Sequence, residues 1–133
     1  MRAIVSSTDG PVLKDIPRPS PGAEEVLVQV KAGSLNRADL AMLDGSSHGR
    51  VGGMGAPLGL EWAGEVVEVG DRVKRWRIGD RVMAAGGGAF AEYAIGHARR
   101  PKRAACSRRA GTSSSRTSTG SRSRATSWRR RSG

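Results

Sequence analysis

The sequence predicts a mainly β domain with one short helix, a small barrel or sandwich, followed by a disordered basic tail. Three observations predict this class. Short runs of alternating apolar and polar residues recur between glycine- and proline-rich turns, at roughly the 8–12-residue spacing of small barrels and sandwiches. One segment alone carries helical spacing with a capping residue in front of it. The composition also changes abruptly near residue 98. A length of 133 residues allows one domain of ordinary size and leaves little room for a second.

The elements follow in order. Arg2 to Val5 is a short strand, ended by the turn residues Asp9-Gly10-Pro11. Lys14 to Gly22 holds Pro17, Pro19 and Pro21, which withhold amide donors and place it at an edge or in a loop. Val26 to Ala32 is the clearest strand, with Val26, Val28, Val30 and Ala32 on one face and Gln29 and Lys31 on the other. A short helix over Arg37 to Leu43 follows, with Leu40 and Leu43 on a common side. Asn36 caps it, and Asp39 sits in the first turn near the positive end of the helix dipole. Ser46 to Gly59 contains five glycines and Pro57 and is expected to be a long flexible loop. Glu61 to Val69 returns to β character, with Val67 and Val69 on one face. Gly70-Asp-Arg-Val73 and Gly79-Asp-Arg-Val82 each form a turn that feeds a strand. Arg81 to Ala85 and Phe90 to Ile95 are expected to pair as a hairpin around Gly86-Gly87-Gly88.

The net charge of +11 points at first to a nucleic-acid or anionic-membrane binder. Its distribution tells otherwise. Residues 1–98 carry 11 Lys+Arg against 12 Asp+Glu, a net of −1. Residues 99–133 carry 11 Arg, Lys102 and no acid, a net of +12. That last stretch has Trp128 as its one large apolar residue. It cannot bury enough apolar surface to offset its conformational entropy, so it is expected to be disordered. The expected organisation is a domain over residues 1–98 and an Arg/Ser-rich tail over 99–133.

Composition excludes several classes. Cys106, the single cysteine, cannot close an internal disulfide. No run approaches the roughly 18 apolar residues of a membrane span, and the first residues lack the apolar core of a signal peptide, so the expected compartment is the cytoplasm. Aromatic residues make up 4% of the chain, which leaves few platforms for stacking bases.

Four segments then carry a resemblance. Ser34-Leu-Asn-Arg-Ala-Asp-Leu40, Leu58-Gly-Leu-Glu-Trp-Ala-Gly-Glu-Val-Val-Glu-Val-Gly70, Gly79-Asp-Arg-Val-Met83 and Gly88-Ala-Phe-Ala-Glu-Tyr93 occur in that order. Together with Met1-Arg-Ala-Ile and Pro21-Gly22 they resemble the medium-chain dehydrogenase/reductase superfamily. The likeness is to the amino-terminal GroES-like domain of its zinc-independent NAD(P)H:quinone oxidoreductase branch, and it runs from Met1 to about Ala98. The resemblance implies a partly open GroES-like barrel and hydride transfer from NADPH to a quinone or enone. Catalytic zinc takes three protein ligands and an open position. Where zinc-dependent relatives place a cysteine and a histidine, this chain has Asn36 and Leu60, and neither His48 nor His97 has a ligand-spaced partner. No catalytic zinc is expected.

The resemblance places Asn36 and Asp39 at the floor of the cleft facing the nicotinamide, with Glu61 as a further cleft candidate beside its structural use. A tyrosine that some relatives carry after this segment is replaced by Ala41 and Met42. Nicotinamide binding in the family comes from a later Rossmann domain, whose mark is Gly-x-Gly-x-x-Gly between a strand and a helix. Gly53-Met-Gly55 lacks the third glycine and runs into Pro57, and Gly86-Gly87-Gly88 fails the spacing. The expectation is therefore an incomplete amino-terminal part that binds no cofactor alone, has no catalytic residue of its own, and forms no homodimer of the family type.

The tail leaves three readings open. A shifted reading frame explains the loss of every acid and aliphatic residue inside a continuing family pattern. A functional Arg/Ser arm would neutralise phosphates and bind RNA or DNA in a salt-sensitive way. A solvated extension without a partner is the third.

Overall fold

The computed structural model describes residues 1–43, 47–48 and 51–104. The readings of Cys106 and of the tail from residue 105 lie outside the described residues, as do those that rest on the side chain of His48.

Among the described residues there are nine strands and one helix: β1 (Arg2–Val5), β2 (Val12–Asp15), β3 (Glu25–Gly33), α1 (Arg37–Leu40), β4 (Ser47–His48), β5 (Val51–Gly52), β6 (Glu61–Val69), β7 (Arg81–Ala85), β8 (Tyr93–His97) and β9 (Lys102–Arg103). Five of them form one antiparallel sheet in the order β8-β3-β6-β7-β9. The sheet does not close on itself among the described residues, in keeping with the partly open architecture expected.

The long strands form where the sequence alternates. Val26, Leu27 and Val28 are all fully buried, because β3 lies inside the sheet and is covered on both faces. Val28, Trp62, Val66 and Val82 come from β3, β6 and β7 and share the inner face, where Trp76 and Ala94 complete the main core. A second cluster of Ala3, Val5 and Ala91 ties the β1–β2 hairpin to the sheet. Its other edge is held by amide bonds from Ile4 to the Phe90 carbonyl and from Leu58 to the Ile4 carbonyl.

Four local expectations are corrected. Arg81–Ala85 and the strand after it do not form a hairpin: β7 pairs with β6 and β9, whereas β8 pairs with β3 at the opposite side of the sheet. The intervening residues spend their amide bonds elsewhere, Gly86 on Leu60, Phe90 on Leu58 and Glu92 on Arg2. This crossing needs the backbone of Gly59 (φ +91), where a Cβ would collide with the Cβ of Ala89 at 2.6 Å. Second, the Ser46–Gly59 segment is not all loop, since it contains the two-residue strands β4 and β5, paired at Ser47↔Gly52 and His48↔Val51.

Third, Gly70–Val73 is a closed turn, with Val73 N–H donating to Gly70 O, and no strand follows it. Its twin at Gly79 does feed β7. Fourth, the helix stops at Leu40. Ala41, Met42 and Leu43 continue with tighter i→i+3 bonds, which turn Met42 into the interior (1% exposed) and leave Leu40 outside (65%). The fold also runs past residue 98, because β9 adds Lys102 and Arg103 to the edge of β7. Alternation could not announce a two-residue strand inside a basic run.

Candidate functional site

The site grows from the end of the β3–β6 pair. The ladder reaches Gly33↔Trp62, and Ser34 N–H extends it by one bond to the Glu61 carbonyl (3.1 Å). Ser34 and Glu61 therefore face each other, and the Ser34 hydroxyl donates to Glu61 Oε2 at 2.7 Å. Chain direction then changes at Asn36, which is extended (φ −117, ψ 150) ahead of α1. Its carboxamide Nδ2 donates to Ser34 Oγ at 3.0 Å and to Glu61 Oε2 at 3.3 Å. Its backbone N–H donates to Asp39 Oδ2 at 2.6 Å, so Asp39 supports the first turn as the sequence predicts.

All three residues singled out from the sequence thus meet through Asn36. Asp39 is buried (6% exposed), and its second oxygen, Oδ1, has no hydrogen-bond partner. It anchors the cap from behind. Glu61 is exposed at the start of β6, with Ser34 and Asn36 converging on one carboxylate oxygen. Ser34 is the residue the sequence reading missed. Only the register of β3 on β6 identifies it, and register is not visible in either segment alone.

The Ser34 hydroxyl first, and the Asn36 carboxamide second, hold the Glu61 carboxyl below its ordinary pKa, because both donate to the ionised form. The sign follows. A depressed value makes these bonds favour the folded state above the unfolded pKa, and that contribution fades as pH falls through the folded one. Carbon-13 titration of the Glu61 carboxyl is expected to give a midpoint below that of a free glutamate, about 4.3. Ser34→Ala should move the midpoint upward. An unchanged midpoint in that variant would remove the hydroxyl as its cause.

A cavity of about 770 Å³ opens beside this cluster. Its lining follows from the two-residue period of the strands. Glu61 opposes Ala85, Ala63 opposes both Ala32 and Met83, and Met83 opposes Lys102. These side chains share the outer sheet face, and Trp62 and Ala84 of the opposite alternation also border the cavity. Arg100 adds a second cation beside Lys102. The volume lies in the range of organic-ligand sites.

No group of three or more His, Cys, Asp or Glu residues able to hold a metal occurs among the described residues. Leu60 contributes its backbone carbonyl to Gly86, and His97 stands apart with Glu24 (3.4 Å). No helix among the described residues is long and apolar enough to cross a membrane.

Comparison with known proteins gives a consistent result. Residues 22–105 match the family described as alcohol dehydrogenase GroES-like domain. A trans-enoyl reductase of Pyricularia oryzae is 38% identical over 91 residues, which cover 62% of this chain and 24% of that protein. A chloroplastic quinone oxidoreductase of Triphysaria versicolor is 36% identical over 94 residues, covering 61% and 26%. The crystal structure of Escherichia coli quinone oxidoreductase complexed with NADPH superposes with a TM-score of 0.64 at 25% identity, over 77% of this chain and 32% of that one. The chain spans about a quarter of the length of these curated relatives.

Proposed function

This chain belongs to the family of alcohol dehydrogenase GroES-like domains within the medium-chain dehydrogenase/reductase superfamily, and from that premise we propose that it forms the substrate-side wall of a zinc-independent, NADPH-dependent reductase of quinones or enones. The observation that carries this reading is the Ser34–Asn36–Glu61 cluster, of which Ser34 and Glu61 line the cavity. It presents an oriented, ionised carboxylate beside an apolar floor.

The residues fit part of the implied cofactor. Glu61 uses Oε2 for both of its hydrogen bonds, which leaves Oε1 to accept from a carboxamide N–H, and Asn36 is fixed beside it. The phosphates find no Gly-x-Gly-x-x-Gly turn in the sequence. NADPH, when bound, supplies the hydride. The chain's own residues position: Asn36 and Ser34 lock the carboxylate, and Ala32, Ala63 and Ala85 leave room for a flat acceptor and exclude water beneath it.

The 133-residue protein on its own is expected to show no NADPH oxidation with a quinone, and turnover comparable to a full-length oxidoreductase would overturn that part. The wall itself is tested by grafting residues 1–104 into a full-length quinone oxidoreductase in place of its own GroES-like domain. The chimaera should reduce quinones with NADPH. Asn36→Leu within it should lower kcat/KM by about ten- to a hundredfold, as expected when a positioning contact is lost. A chimaera that folds and binds NADPH without reducing quinones would sink the reading.

A further inference from the structure

The cavity is electrically polarised along its length. At one end stands the Glu61 carboxylate, held ionised by Ser34 and Asn36. At the other, Arg100 and Lys102 line the wall, and among the described residues neither forms an ion pair. Between them lies a floor of small or flexible apolar side chains: Ala32, Ala63, Ala85 and Met83.

Strand geometry sets the separation of the two ends. From Glu61 the register crosses to Ala85, moves two residues to Met83, and crosses again to Lys102. Two strand spacings and two residue rises place their backbones roughly 12 Å apart. That is the span of a fused two- or three-ring system.

We propose that the acceptor taken by this groove is a planar apolar anion: a quinone or enone ring bearing a sulfonate, carboxylate or phosphate group. The inference rests on the cleft reading above and adds the charge of the substrate. Arg100 and Lys102 receive the anionic group through charge-assisted hydrogen bonds. Glu61 repels it from the opposite end, so the ring lies on the alanine floor in one direction. Unpaired cations on both sides of an apolar floor would accept either ring orientation, whereas a carboxylate at one end permits one.

The test uses the intact 133-residue chain, with anthraquinone-2-sulfonate as the anionic probe and 2-(hydroxymethyl)anthraquinone as its neutral counterpart. Binding is read at the Met83 methyl resonance, which lies on the floor. The sulfonate is expected to bind about tenfold more tightly, the effect of one charge-assisted contact, and the difference should shrink as salt is raised. Arg100→Glu combined with Lys102→Glu should abolish the preference, so that the neutral probe binds at least as tightly as the sulfonate. Both residues are exposed, so the amide spectrum should show that this variant still folds.

Equal affinities in the unaltered chain would overturn the anion preference and leave the cleft reading standing. So would a preference that survives the double charge reversal, since it would then belong to other cations. Failure of both probes to move Met83, alongside an active chimaera, would overturn the groove as the acceptor's seat.

Discussion

Gly64→Ala is expected to destabilise the protein by about 3 kcal/mol or more, at the upper end of what overpacking a core costs. Gly64 sits in the middle of β6, paired with Val30 of β3 on one side and Val82 of β7 on the other. A Cβ there would be driven into the Gln29 carbonyl oxygen, with Val28 Cγ1 at 2.7 Å and the Gln29 carbonyl carbon at 2.9 Å. Two of those atoms are backbone, in a strand clamped between β8 and β6. No rotamer change relieves the clash, so β3 and β6 have to separate.

Gly53→Ala is the control. Gly53 has φ +104 and open space around its missing Cβ, so it bears only the backbone cost of about 1 kcal/mol. In a small domain each kcal/mol moves Tm by about 4–8 °C. Thermal unfolding should therefore place Gly64→Ala more than about 12 °C below the unaltered chain and Gly53→Ala much nearer to it. Equal shifts for the two would show that close approach at Gly64 is not what holds the β3–β6 pair. The variant should also disperse the site, because Ser34 reaches Glu61 only through that register.

The difference between Gly64 and Ser34 shows what a sequence can reveal here. Asn36 and Asp39 stood out locally, as a cap and a residue of the first helical turn, and the family resemblance added their cleft role and Glu61 beside them. The structure brings these three together. Ser34 carries no such mark, and its importance comes from a partner 27 positions away. The failed hairpin has the same origin. Arg81–Ala85 and the following strand look like neighbours along the chain, but Gly86 and Phe90 between them donate to the Leu60 and Leu58 carbonyls and send the chain across the sheet. Short-range chemistry identified β1, β3, β6, β7, β8 and the helix start but not β2, β4, β5 or β9, and long-range register decided their order.

The second large effect is expected at Trp76, a residue with no motif around it. Its indole is buried (2% exposed) in the main core, and Nε1 donates to the Ala98 carbonyl at 2.7 Å. The guanidinium of Arg75 lies 5.0 Å from its ring and that of Arg103 5.5 Å, while Arg103 also pairs with Asp80 at 3.0 Å. The ring thus holds both ends of the segment that leads into β9. Trp76→Ala should cost about 3–5 kcal/mol through the cavity it leaves. Trp76→Phe keeps the ring and loses the indole bond, which should cost about 1 kcal/mol. Hydrogen exchange separates the two roles. In Trp76→Phe, the amide of Ala104, which donates to the Arg81 carbonyl, should stay nearly as protected as in the unaltered chain. In Trp76→Ala that protection should be lost below the temperature at which β3 and β6 unfold, because β9 is a two-residue edge strand paired on one side only. Arg100 and Lys102 would then leave the groove, and the anthraquinone sulfonate would lose its advantage over the neutral probe. A Trp76→Ala protein that melts with the unaltered chain and keeps β9 protected would show that the strand is held by its ladder to β7 alone.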